Sequence, residues 1–207
     1  SFYQPERVFI HVPFLQTLSS EEFSNGMAEV IKYGVALDPD LWNWLEKDYE
    51  EILARNLKSL EKMVEQCVRI KIAVVEKDPT EQGFRSILNF GHTIAHGIEN
   101  LSKYRIKHGF AVAAGMKVAA MLSHQLLGYS QALVERLHQT IDIFGLNTVD
   151  LSSFSIDALW QSIQSDKKAR NRSPRFTLLD SRSSPALFQQ VTTKELMNAL
   201  SALKDLC

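Results

Sequence analysis

His92 and His96 stand four residues apart in the string HisThrIleAlaHis. On a helix that spacing projects both imidazoles from one face, as a metal ion or a phosphate group requires. A zinc peptidase of the HExxH type needs Glu directly after the first histidine as general base; Thr93 takes that place, so peptide hydrolysis is disfavoured. Further ligands must be sought elsewhere. His108 opens an apolar stretch in LysHisGlyPhe, and Glu29 lies in GlyMetAlaGluValIleLys between Gly26 and Gly34. Imidazoles and a carboxylate with one position left open suit a catalytic Zn2+. Both also fit plainer roles, Glu29 on a solvated helix face and His108 at a helix start. His11, His124 and His138 have no partner at ligand spacing and read as packing or surface residues.

Arg85, Asn89, His92 and His96 recur at steps of four, three and four, one polar stripe on an otherwise apolar, glycine-containing helix. Such a stripe suits an anion: Arg85 forks onto a carboxylate, Asn89 donates an amide, and His96 binds or protonates a phosphate oxygen. Lys32, Lys71, Lys167 and Lys168 offer further point charges, although lysine is usually a surface residue. No GxGxxG follows a strand and no GxxxxGK[ST] occurs, so the chain carries no nucleotide-binding fingerprint.

The elements that must hold these residues are mostly helical. Alternation over residues 7–12 up to Pro13 predicts a short strand. Ser19 and Glu22 have capping-box spacing before a helix that runs to about Leu37. Asp38-Pro39 starts a helix that continues through Ile52, and apolar spacing predicts another over 57–77, ended by Asp78-Pro79. Helices are expected over 85–101 and 109–127, the second more apolar and buried. Gly91, Gly97 and Gly115 each cost about 1 kcal/mol relative to Ala there, which points to close approach of a backbone or ligand. Ser130 and Ser155 open two more helices, SDKKARNRSP reads as a loop, 176–179 and 187–191 as a hairpin, and Thr192 with Glu195 caps a last helix. The expected fold is mainly α, one helical unit over 1–207 with a few short peripheral strands.

A net charge of -1 gives no support to a nucleic-acid or anionic-membrane partner, and 45% apolar with 23% charged residues excludes disorder as the main state. No apolar run is read as reaching the roughly 20 residues of a bilayer span, and no signal peptide opens the chain. Two cysteines form no disulfide framework, so a cytoplasmic protein is expected. A strand-like start without an initiator Met suggests that the sequence begins part-way through a larger protein.

Four strings carry a resemblance: GlyMetAlaGluValIleLysTyrGly (26–34), ArgSerIleLeuAsnPheGlyHisThrIleAlaHisGlyIleGlu (85–99), HisGlyPheAlaValAlaAlaGlyMet (108–116) and AspLysLys (166–168) before Arg175 and Phe176. In order and spacing they resemble the C-terminal domain of the 3-dehydroquinate synthase family, over essentially the whole chain. The resemblance implies an NAD-binding N-terminal domain outside this chain and an active site in the cleft between the two, with a homodimer of the full-length enzyme. It implies Zn2+ or Co2+ on Glu29, His92 and His108, so that His92 and His96 do not share one ion. His96, Asn89 and Lys167 or Lys168 would then face the substrate phosphate. Lys71 and Arg85 would hold the carboxylate of a seven-carbon phosphorylated keto acid, Lys32 a ring hydroxyl, and Glu81 would lie nearby. The implied reaction is an oxidation by NAD, loss of phosphate, return of the hydride and a ring-closing aldol step on one site.

Two departures stand out. Phe110 replaces the family's usual Glu, which by this reading removes a carboxylate able to orient His108, and HisThrIleAlaHisGly replaces HisThrPheGlyHisAla. The rival readings are another sugar phosphate cyclase acting on a heptulose phosphate or glucose 6-phosphate, a polyol dehydrogenase, or a non-catalytic metal-binding helical module.

Overall fold

Several helix starts in this chain follow from side chains that accept the free N–H groups of a first turn. In a computed structural model that describes residues 6–80, 82–165 and 174–204, Ser19 Oγ accepts from Glu22 N–H at 3.2 Å and opens α1 (Ser20–Leu37). Asp38 ends α1, and its carboxylate accepts from Asp40 and Leu41 N–H, both at 3.1 Å, to open α2 (Pro39–Lys47). The single helix expected through Ile52 breaks at Asp48, whose φ of -109° and ψ of 20° leave the helical region, so α3 (Tyr49–Leu53) is separate. Asn56 Oδ1 caps α4 (Leu57–Lys77), with the bounds that the apolar spacing predicts.

A larger departure follows. Residues 85–101 are not one helix. Buried Asp78 accepts from Gln82, Gly83 and Arg85 N–H at 3.0, 2.8 and 2.9 Å and folds the chain into a 3-10 helix, Phe84–Asn89. Gly91 then adopts φ 82°, a left-handed conformation that breaks helical continuity, and α5 (His92–Leu101) starts afresh. Arg85 and Asn89 therefore do not share a helix with His92 and His96. Nor do residues 7–12 form a strand: they lack a ladder partner among the described residues, and Pro13 instead opens a 3-10 helix, Val12–Thr17.

The second half completes a helical cage around α6 (His108–Leu127), in which every residue from Gly109 to Ser123 is buried. Around it pack α1, α5, α7 (Gln131–Ile143), α9 (Thr193–Lys204) and strand β1 (Arg175–Leu179), while α8 (Ile156–Ser165) seats on α5 with Leu159 and Ile163 against Gly97. By length and composition α6 could cross a membrane, contrary to the expectation that no apolar run is long enough. In the fold 78% of its apolar window is buried among its neighbours, so that apolarity serves the core. β1 pairs antiparallel with β2 (Pro185–Gln190) through a bulge between Phe176 and Leu178. Thr192 and Glu195 cap α9 reciprocally, as their spacing predicts. The described residues are thus mainly α with one peripheral two-stranded sheet. Glu81, Lys167 and Lys168 lie outside them.

Candidate metal centre

Three helices deliver the site. Glu29 comes from the middle of α1, His92 from the first residue of α5 and His108 from the first residue of α6. Close backbone approach brings them together. Gly115 packs against Gly91, where a Cβ would lie 2.1 Å from the Gly91 carbonyl oxygen. At the start of α6, Gly109 N–H donates to Asn25 Oδ1 at 2.7 Å, which fixes α6 to the turn of α1 before Glu29.

One ligand atom from each of Glu29, His92 and His108 lies within 4.8 Å of the others. Glu29 Oε1 stands 3.5 Å from His92 Nε2 and 3.6 Å from His108 Nε2. Ligand atoms on ~2.1 Å bonds at tetrahedral angles stand roughly 3.4 Å apart, so the spacing fits one small cation. Glu29 Oε1 is buried and has no hydrogen-bond partner, a costly condition for a carboxylate that a cation would relieve. The donor set of two imidazoles and a carboxylate is one that Zn2+ accepts with an open fourth position.

The electrostatics agree. Burial opposes ionisation of Glu29, but His108, Lys32 and His92 outweigh it and hold the carboxyl down at about 2. Burial, followed by the charge of Lys32, pushes His92 down to about 3, so its ring is neutral and Nε2 offers a lone pair. His92 Nδ1 lies 3.3 Å from the Phe90 carbonyl, which accepts its proton and turns Nε2 inward. His108 is raised above the ordinary histidine range by Glu29 and then Glu99, with burial opposing. Buried Lys32, only 3% exposed, donates to Glu29 Oε2 at 2.5 Å; burial lowers its pKa and Glu29 counters.

The other expected residues fall into two groups. His96 stays beside the triad, its ring 5.9 Å from that of His92, but is not part of the ligand cluster. Lys71, exposed on α4, is near enough for its charge to act on Lys32. Arg85 and Asn89 are partly buried on the 3-10 helix before Gly91; the Arg85 guanidinium donates to the Pro79 carbonyl at 3.3 Å, and neither residue hydrogen-bonds to the triad among the described residues.

Sequence reasoning missed Glu99. Its Oε1 lies 3.0 Å from His108 Nδ1, so the carboxylate expected to be missing is present on α5. Phe110 plays no part in that contact: it is buried, and lines a cavity of about 540 Å³ with Ile106, Val149 and Phe154. Glu99 ends the string ArgSerIle…GlyIleGlu, seven residues after His92, and that two-turn spacing along one helix face is the signal that could have found it.

Fold and site together define a helical domain in which Glu29, His92 and His108 could hold one divalent cation next to a buried lysine. The family profile described as 3-dehydroquinate synthase C-terminal matches residues 26–169. A 3-dehydroquinate synthase of Desulforamulus reducens (strain ATCC BAA-1160 / DSM 100696 / MI-1) is 42% identical over 202 residues, 97% of this chain and 56% of that protein. The chain belongs to the 3-dehydroquinate synthase C-terminal family. It spans about half the length of the curated relatives it matches. Solved structures at 22% identity share the fold. One is ValA, a 2-epi-5-epi-valiolone synthase of Streptomyces hygroscopicus subsp. jinggangensis 5008 with NAD+ and Zn2+ bound, at TM-score 0.82 over 95% of this chain and 55% of that one. Another is a 2-deoxy-scyllo-inosose synthase complexed with carbaglucose-6-phosphate, NAD+ and Co2+, at TM-score 0.79 over 91% of this chain and 54% of that one.

Proposed function

We propose that this chain is the metal- and substrate-binding part of a 3-dehydroquinate synthase, which converts 3-deoxy-D-arabino-heptulosonate 7-phosphate to 3-dehydroquinate and phosphate in aromatic amino acid biosynthesis. The observation that carries the reading is the convergence of Glu29, His92 and His108 around one buried, unpartnered carboxylate oxygen. Zn2+ or Co2+ held there would polarise a substrate hydroxyl or ketone oxygen. NAD, held mainly by an N-terminal domain outside this chain, would exchange a hydride with the substrate. The relatives' extra length supports that domain, as does the apolar row Val8, Phe9, Ile10 and Phe14, 73%, 88%, 52% and 69% exposed, which a further domain would cover.

Within the chain, Lys32 would hydrogen-bond a ring hydroxyl while keeping Glu29 ionised. Lys71 and Arg85 form the carboxylate clamp, and His96, Asn89 and one of Lys167 or Lys168 the phosphate clamp, with Glu81 near the same cluster. These contacts hold the substrate in the orientation that ring closure needs. The free thiol of Cys67 suits a cytoplasmic setting, and a homodimer of the full-length polypeptide completes the reading.

Arg85→Ala in the full-length enzyme tests the substrate assignment. A bidentate guanidinium contact to a carboxylate is worth roughly 1.5 to 3 kcal/mol, or about ten- to a hundredfold in kcat/KM. That loss is expected for heptulosonate phosphate and not for sedoheptulose 7-phosphate, which has no carboxylate. A wild type that prefers the sugar phosphate, or a variant with unchanged heptulosonate phosphate turnover, refutes the assignment in favour of another sugar phosphate cyclase.

A further inference from the structure

Of the three groups around the candidate cation, His108 is the least enclosed. The side chain of His92 is 14% exposed and its Nδ1 is tied to the main chain, whereas that of His108 is 47% exposed. Packing therefore does little to select among the rotations open to the His108 ring. Its polar neighbours are Glu29 on one side and Glu99 on the other, with the edge of the His92 ring 5.2 Å away between centroids.

A neutral imidazole carries one proton and one lone pair, and only the Nδ1-protonated tautomer leaves the Nε2 lone pair facing Glu29 Oε1. An ionised carboxylate accepts hydrogen bonds and donates none. When His108 gives up one proton to take a cation, Glu99 Oε1 at 3.0 Å keeps the remaining proton on Nδ1 and leaves Nε2 pointing into the site. Glu99 is itself well held: its side chain is 12% exposed, and its carbonyl accepts from Tyr104 N–H at 2.8 Å and the Ser102 hydroxyl at 3.0 Å. Helix α5 thus supplies one ligand, His92, and through Glu99 orients a second that belongs to α6.

We propose that Glu99 is the positioning residue of the metal centre: it holds His108 in the orientation and tautomer that present Nε2 opposite Glu29 Oε1, and so sets the affinity for a divalent cation. This rests on the metal reading above and assigns a role to a residue outside the ligand set. The test is Zn2+ affinity of the chain, by competition with a chromophoric chelator, for wild type, Glu99→Ala, Glu99→Gln and His92→Ala, with the thermal midpoint of each metal-free protein alongside. Glu99→Ala is expected to bind Zn2+ about 10- to 100-fold more weakly at an unchanged metal-free midpoint. Glu99→Gln, whose amide oxygen still accepts the Nδ1 proton, is expected to recover most of the loss, and His92→Ala to lose binding. Glu99→Ala with wild-type affinity, or Glu99→Gln as weak as Glu99→Ala, overturns the positioning role and leaves the metal centre standing. A wild type that binds no better than His92→Ala overturns both.

Discussion

Gly115→Ala puts a methyl group where α6 meets the turn into α5. The new Cβ would lie 2.1 Å from the Gly91 oxygen and 3.2 Å from Ala95 N. Both are backbone atoms, so no side chain can rotate out of the way, and relief requires the segments to part by roughly 1 Å or more. Two terms compete. Ala in place of Gly inside a helix gains about 1 kcal/mol, while forcing packed backbone apart costs about 1 to 3 kcal/mol or more. With the clash at the upper end of that range, because the opposing atoms are backbone, the expected net loss is up to about 2 kcal/mol, read as a lower urea midpoint at unchanged slope. Gly26→Ala is the control, because it has the same propensity gain and nothing within 4 Å of its Cβ; it should stabilise by up to about 1 kcal/mol. The perturbation also reaches the proposed metal centre. Gly91 directly precedes His92, and Gly115 lies on the helix that His108 starts, so parting α5 from α6 separates two proposed ligands whose bond lengths to a cation would tolerate about 0.2 Å. Zn2+ affinity of Gly115→Ala should fall at least about tenfold while Gly26→Ala binds as wild type does. A Gly115→Ala chain as stable as Gly26→Ala, with wild-type Zn2+ affinity, would refute the steric reasoning.

Fully buried Thr140 accepts from Trp42 Nε1 at 2.9 Å and donates to Glu46 Oε1 at 2.7 Å, so Thr140→Val should cost about 1 to 3 kcal/mol in urea denaturation; an unchanged midpoint would show that the Trp42 N–H needs no partner. Burial, then the charge of Lys117, pushes His138 down to about 4, whereas an unfolded histidine titrates near ~6.5. The unfolded chain therefore takes up this proton first: the stability is fully present above about pH 6.5, falls as the pH drops toward about 4, and is level below. The full shift is worth about 3 kcal/mol, trimmed to about 1 to 2 by partial contact with solvent, and His138→Gln should remove that much of the loss between neutral pH and about pH 4.5. Equal pH slopes for variant and wild type would exclude His138 as their source.

How much was legible in the sequence depended on whether the determinant was local. The bounds of α4, the caps at Ser19, Asp38 and Thr192, and the hairpin near 176–190 rest on periodicity and on side chains bonding to backbone within four residues, all of which a string displays. Over 85–101 an apolar spacing suits a continuous helix, but three backbone N–H groups on one buried carboxylate, Asp78, and the left-handed turn at Gly91 outweigh it and break the element. The segment over 7–12 failed for a related reason. Alternation makes a strand only where a neighbour supplies the ladder.

The residue types at positions 29, 92 and 108, and the resemblance of the strings that contain them, were determined by the sequence alone, as was the excess of helix over strand. That these three residues, rather than His92 with His96, converge as a candidate cation site was decided by tertiary packing. The i,i+4 spacing brings His96 only to 5.9 Å between ring centroids, while the contacts of Gly115 with Gly91 and of Gly109 with Asn25 carry helices distant in sequence close enough for Nε2 and Oε1 to meet. Glu99 became meaningful only then. A carboxylate at the end of one helix orients a histidine at the start of the next because the 102–107 turn folds them together, and hydrogen-bond distance is a property of that fold rather than of spacing along the chain.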